Sequence, residues 1–477
     1  MTVLDQRGQL LRAAVGFAGC SMPSYDRALW ALRTWLDSWP GVGDVAVGMH
    51  RQLRMWVLVL VSGVACASPA TTTRDAPVVG EEPPPRFAPG GPDAEAFGAS
   101  MGYPKGTGAT YLRTRWRVGS NSHLDEIFRG RLIHKASTPS RLVRVAEPLI
   151  TWTFLGRGAD LTVDDYLSRY PTTGLLIARG ETILVERYQY GRTDRHRLTS
   201  WSMAKTVTAM LVGIAIHEGR IRSVDDLAAA YVPELDGTEY GRTSLRHLLQ
   251  MSSGVRYNED YRREYISLDT LQLILDTFML AGPGGVGAVT SFNDRERPAG
   301  TKFSYSSVET YVLGLVLTRA IGRPIAEYLE QKIWQPIGAE ADATWLIDNS
   351  GQEAAYCCLN AVLRDYARLG LLLAHDGNWR GRQIIPAAWV LEATTVRADQ
   401  PHLQPGTASF AGYGYQTWIL PGERRMFVLF GAQGQLIYVD PRSKLVMVNT
   451  AVQEALDPLA IREMNALWAA LVRQLGG

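Results

Sequence analysis

The stretch from Gly174 to Gly219 most constrains what this chain can fold into. Gly174 to Ala178 and Thr182 to Tyr188 are apolar runs of strand length, and Arg179, Gly180 and Glu181 between them form a hairpin signal. Directly downstream, Val207, Met210, Leu211, Ile214 and Ala215 recur at helical spacing within Ser202 to Glu218, and Gly219 supplies the stop. A helix this apolar belongs at the centre of a fold, covered on most sides. Three further short strands, Met426 to Phe430, Leu436 to Val439 and Leu445 to Val448, lie near the other end of the chain, and a helix from Pro458 to Leu475 closes it. Ser244 to Met251 and Asn360 to Ala374 read as additional helices, whereas residues 256–304 read as irregular. Strands at both ends with helices between imply an α+β fold, its sheet assembled from distant pieces around a helical insertion.

The N-terminal region has a different character. Residues 49–54 are basic, Met55 to Ala65 is apolar, and Cys66, Ala67 and Ser68 follow, which is the layout of an export signal. The apolar run is shorter than the roughly 20 residues a bilayer-spanning helix needs. Two processing routes fit: cleavage at the A-x-A of Ala65 to Ala67, or lipidation of Cys66, although Gly63 is atypically placed for a lipoprotein box. The expectation is an exported protein, whether periplasmic, extracellular or tethered to a membrane through Cys66. Residues 1–48 then read as an upstream extension preceding a start at Met49 or Met55; the other reading is an amphipathic helix from Tyr25 to Trp39. Residues 68–97, rich in Pro, Thr and Gly, lack the apolar content to offset ordering entropy and read as a linker. Residues 98–477 read as the globular domain.

Composition removes several classes of function. A net charge of +2 with no basic run interleaved with aromatics gives no footprint for nucleic acid. The four cysteines, at 20, 66, 357 and 358, form no CxxC, and the eight histidines form no HExxH, so neither a disulfide framework nor a metal site is expected. Cys357 and Cys358 read as a packed pair of small apolar residues. No cofactor is implied.

Three short patterns carry chemistry. Ser202-Met-Ala-Lys205 is the only S-x-x-K, and i and i+3 share a helix face, so the lysine amine can reach the serine hydroxyl. A serine needs a base held against it, and a buried lysine can serve because desolvation disfavours its ammonium. Tyr305, with Ser306 and Ser307 after it, offers a hydroxyl able to carry a proton toward a leaving group. Phe430 to Gln435 is glycine-rich at a strand edge, where Gly431 lets substrate approach and the next N–H can face an oxyanion.

Taken in this order, S-x-x-K, Y-x-S and a strand motif ending in glycine resemble the family of class C β-lactamases, penicillin-binding proteins and related esterases. Over about residues 165–450 the chain looks most like the 6-aminohexanoate-dimer hydrolase branch, through His217 to Ile221, Tyr231 to Leu235, Tyr257 to Tyr261, Arg364 to Gly370 and Gly434 to Pro441. The resemblance implies Ser202 as acylated nucleophile, Lys205 as its activator, Tyr305 as proton shuttle, and the N–H groups of Ser202 and Ala432 as oxyanion donors. It implies substrate contacts at Tyr261, Ser307, Gly431 and Gln435, no metal, and a five-stranded antiparallel sheet with a helical subdomain at about 222–350. Leu429 stands where peptidases and β-lactamases carry the lysine of K-T-G, and the loop after Tyr261, with Arg262 and Arg263, departs from the nylon-oligomer branch. Hydrolysis of small esters or linear amides is therefore the expected activity. A D-alanyl peptidase or β-lactamase is the alternative, and a non-catalytic ligand-binding member of the fold is a second.

Overall fold

The computed structural model describes residues 2–4, 10–12, 82–154, 160–260, 267–279, 282–407, 411–454 and 457–476. The chain divides into two compact units, Met1–Ala76 and Pro77–Gly477. In the first, Thr2–Leu4 pairs antiparallel with Leu10–Arg12. The export signal at 49–67, the segment Tyr25 to Trp39, Cys66, Tyr261, Arg262 and Arg263 lie outside the described residues.

The second unit is built on five long strands: β1 (Thr172–Arg179), β2 (Thr182–Tyr188), β3 (Phe427–Gly431), β4 (Gln435–Asp440) and β5 (Leu445–Ala451). They pair antiparallel in the order β3-β4-β5-β1-β2, so the two ends of the sequence meet along β5 and β1. Alternate side chains face opposite layers. Leu176, Ala178, Leu429, Ile437, Val446 and Val448 face one core, while Leu175, Ile177, Val428, Leu436, Leu445 and Met447 face the other. Both faces being covered explains why these strands read as continuous apolar runs rather than as alternating ones.

The first core holds α1 (Ala204–His217), α2 (Ser307–Ile321) and α3 (Leu363–Ala374); α4 (Pro458–Leu475) covers the opposite face. Close packing of α3 depends on Gly370, since a Cβ there would stand 2.6 Å from Val446 Cγ1 and 2.8 Å from Ile437 Cγ2. A buried ion network anchors the same helix: Arg364 pairs with Glu186 at 2.7 Å, and Arg368 with Asp365 at 2.8 Å.

Two differences from the sequence reading concern the sheet and the linker. The sheet is mixed and wider than five strands, because Arg86–Phe87 and Val143–Arg144 add to β2 in parallel and Gly412–Tyr413 and Trp418–Ile419 extend it beyond β3. Residues 82–97, expected to belong to the linker, lie against this edge: Glu82 accepts from Arg144 N–H at 2.9 Å, and Tyr103 and Tyr190 donate to the carbonyls of Pro89 and Pro92. Proline suits an edge segment because it has no N–H to leave unpaired. The region read as irregular contains a helix, Leu268–Phe278, capped by Ser267.

A second, four-stranded sheet, Gly130–Ile133, Ala343–Leu346, Leu359–Ala361 and Leu198–Thr199, positions the site. Its last strand feeds the turn carrying Ser202, and its third follows directly on Tyr356, Cys357 and Cys358. Ser200 ties the two together: its N–H donates to Leu359 O at 2.8 Å, and its hydroxyl accepts from Leu359 N–H at 3.0 Å.

Candidate active site

Ser202 occupies a 3-10 turn, Trp201–Met203, immediately before α1. Trp201 adopts φ 42°, a left-handed conformation uncommon for a non-glycine residue, so the turn is locally strained just before the serine. One helical step on, Lys205 is 1% exposed, and its ammonium has three acceptors: Ser202 Oγ at 2.9 Å, Ser307 Oγ at 2.9 Å and Tyr356 O at 3.0 Å. All three of its N–H donors are thereby engaged. The ring of Tyr305 lies 4.9 Å from the same nitrogen and that of Tyr356 5.6 Å.

Electrostatics separate the two candidate bases. Burial pushes Lys205 down from 10.5 to about 8, with the charge of Glu259 opposing part of that fall. Burial and the same carboxylate push the Tyr305 phenol well above its ordinary value, against a hydrogen bond to Ser202. Near neutral pH the tyrosine therefore keeps its proton, and Lys205 is the group that can reach a neutral, proton-accepting form. Tyr305 packs among Phe303, Tyr413 and Trp418, its ring stacked on Trp418 at 5.5 Å between centroids. These aromatics make one wall of the site apolar.

The glycine at the end of β3 allows the strand edge to meet the nucleophile turn. A Cβ on Gly431 would stand 2.3 Å from Ser200 O and 3.2 Å from Ser202 N, a clash no side chain can absorb. The strand end that leads into Ala432 thus meets the turn carrying Ser202.

Several sequence-selected residues sit differently from expectation. Ser307, expected to contact substrate, is buried as the first residue of α2 and holds Lys205. The Gln435 amide is bonded within the fold: it donates to Ala432 O at 3.1 Å and Ala451 O at 2.7 Å and accepts from Ala451 N–H at 3.1 Å. Its contribution is to fix the Ala432 peptide. Leu429 is buried in the core below α1, so the position carries no cation toward the site. Cys357 and Cys358 form a disulfide rather than a pair of packed thiols, with Cys358 at φ 68°, in the loop whose Tyr356 carbonyl anchors Lys205.

Two contributors were not singled out from sequence. The Tyr356 carbonyl is a backbone group with no residue signature. Glu259 accepts from the N–H of Ser307 at 2.5 Å and from its hydroxyl at 2.8 Å; its only signal was a carboxylate within Tyr257 to Tyr261.

The sequence profile of the family described as Beta-lactamase matches residues 159–463, more than half of the chain. The 6-aminohexanoate-dimer hydrolase of Paenarthrobacter ureafaciens is 29% identical over 327 residues, 64% of this chain and 78% of that protein. The beta-lactamase of Pseudomonas fluorescens is 22% identical over 38% of this chain and 48% of its own. A solved structure from Bacillus anthracis, described as a 6-aminohexanoate-dimer hydrolase, superposes with a TM-score of 0.71 at 24% identity, over 77% of this chain and 96% of that one. The chain belongs to the beta-lactamase family and is a serine hydrolase.

Proposed function

We propose that the protein hydrolyses small esters and linear amides through an acyl-enzyme on Ser202. The observation carrying this reading is the 2.9 Å contact between Lys205 Nζ and Ser202 Oγ at a lysine pushed down to about 8. Neutral Lys205 takes the Ser202 proton as Oγ attacks the carbonyl, and the N–H groups of Ser202 and Ala432 receive the oxyanion. Tyr305, which keeps its proton near neutral pH, passes a proton to the departing alkoxide or amine. Water then cleaves the acyl-enzyme by the reverse sequence of proton transfers. The aromatic wall around Tyr305 favours apolar acyl or leaving groups, and the relative in Paenarthrobacter ureafaciens is named for a linear amide.

With Leu429 buried at the strand edge, a substrate carboxylate loses a charge-assisted partner contributing on the order of 1.5–3 kcal/mol, roughly tenfold to a hundredfold in selectivity. A panel on the full chain tests this, comparing p-nitrophenyl butyrate, the 6-aminohexanoate dimer, another short linear amide and a chromogenic cephalosporin. Higher kcat/KM on the ester and amides is expected. A preference for the cephalosporin overturns the reading in favour of β-lactam hydrolysis.

A further inference from the structure

Outside the three residues to which the mechanism assigns chemistry, the carboxylate of Glu259 is, among the described residues, one that acts on Lys205. Glu259 lies on an irregular segment whose position is fixed from behind, where Asn258 N–H donates to Asp269 Oδ2 at 2.8 Å and Ser267 Oγ donates to Asn258 O. Both of its oxygens meet Ser307: Oε2 accepts the backbone N–H and Oε1 the hydroxyl. The N–H is one of the unpaired donors of the first turn of α2, where the positive end of the helix dipole also favours a carboxylate.

The direction of these bonds matters. A serine hydroxyl has one proton, and Ser307 donates it to Glu259, so the lone pairs of Ser307 Oγ face Lys205. The Tyr356 carbonyl is the second fixed acceptor, which leaves the remaining N–H direction of the lysine for Ser202 Oγ. Without an acceptor for its proton, the Ser307 hydroxyl would be free to rotate and present that proton to the lysine nitrogen. A neutral Lys205 would then accept from Ser307 rather than from the nucleophile.

We propose that Glu259 is the positioning residue of this site: by taking both donors of Ser307 it holds that hydroxyl as an acceptor, so that the Lys205 nitrogen is directed at Ser202. This rests on the reading of Ser202 as nucleophile and Lys205 as base. Among the described residues, the titratable and charged groups facing Lys205 are Tyr305 before α2, Tyr356 beside the small sheet, and Glu259; Glu259 in turn acts on Tyr257, Tyr305, Tyr356 and Tyr413. Among the described residues, Glu259 is the charge acting on Lys205, and it favours the protonated lysine. Its neutralisation therefore releases the lysine proton at lower pH.

The test is Glu259→Gln in the full chain, assayed on a neutral p-nitrophenyl ester across pH, with Glu259→Asp and Ser307→Ala alongside. Glutamine matches glutamate in shape, but one fixed amide cannot accept from both the N–H and the O–H of Ser307. We expect kcat to fall about tenfold with KM unchanged, and the acid limb of kcat/KM to move to lower pH. The limb of Glu259→Asp, which keeps the charge, should stay near that of the wild type. The kcat losses of Glu259→Gln and Ser307→Ala should be less than additive in the double variant, because one path carries both. An unmoved acid limb in a folded Glu259→Gln, or strictly additive losses, overturns the proposal; an effect confined to KM for a cationic substrate assigns Glu259 to substrate recognition instead. If Ser202→Ala retained wild-type turnover, the underlying catalytic reading would fail, a result distinct from any shift of the limb.

Discussion

Lys205 Nζ and Tyr356 O lie 3.0 Å apart, so a backbone carbonyl next to the Cys357–Cys358 disulfide holds the lysine that contacts Ser202. The base is thus oriented by this loop as well as by its own helix.

A first consequence is a pH profile. Burial lowers Lys205 to about 8, and only its neutral form accepts the serine proton. Measured kcat/KM should therefore rise as pH increases through about 8, and Lys205→Ala should lose about 10²- to 10⁴-fold in kcat. Steady-state kinetics on a neutral ester check both. A profile falling over that range would place the functional proton elsewhere.

Tyr305→Phe distinguishes substrates by leaving group. The hydroxyl keeps its proton at neutral pH, which suits it to deliver a proton to a departing group. An amine needs that proton and a p-nitrophenolate does not. The variant should lose about a hundredfold or more on a linear amide and clearly less on the activated ester. Equal losses on both substrates would remove the acid role.

Gly431→Ala tests the contact of the strand edge with the nucleophile turn. The added Cβ meets Ser200 O at 2.3 Å, so β3 and the turn must separate and the two oxyanion donors diverge. Activity should fall about 10²-fold or more, with a stability cost of about 1–3 kcal/mol by thermal melting. Unchanged turnover would show that these N–H groups do not share an oxyanion.

Glu309→Gln addresses stability rather than activity. Glu309 is buried on α2, accepts from the N–H and hydroxyl of Ser253, and is pushed up from 4.5 to about 8 by burial, with Arg295 acting against the rise. The folded state then keeps a proton over the range from 4.5 to 8 that the unfolded chain has released, so this stability is present below 4.5 and lost as pH rises through about 8. The glutamine variant should melt higher than wild type by a margin that widens from pH 5 to pH 8. A margin independent of pH contradicts the assignment.

What could be read from the sequence follows from the range of the interactions involved. Ser202 and Lys205 are three apart on a helix, so local geometry alone brings them together, and the long strands β1 to β5 announce themselves through apolar runs and turn residues. Glu259 and Tyr356 become neighbours of Lys205 only through tertiary folding, and neither sits in a periodic element. The two-residue strands at the sheet edge carry no period, so residues 82–97 resembled a linker. The motif positions of Ser307 and Gln435 do not reveal which way their hydrogen bonds run, and only the fold shows both bonded to neighbouring groups of the chain.

The central claim is that Ser202 is the acylated nucleophile. Treatment of the full chain with a fluorophosphonate probe, followed by peptide mass spectrometry, tests it most directly. The expected result is one adduct on Ser202, with labelling that speeds up as pH rises through about 8 and is lost in Lys205→Ala. An adduct on another serine, or none on folded protein, would contradict it.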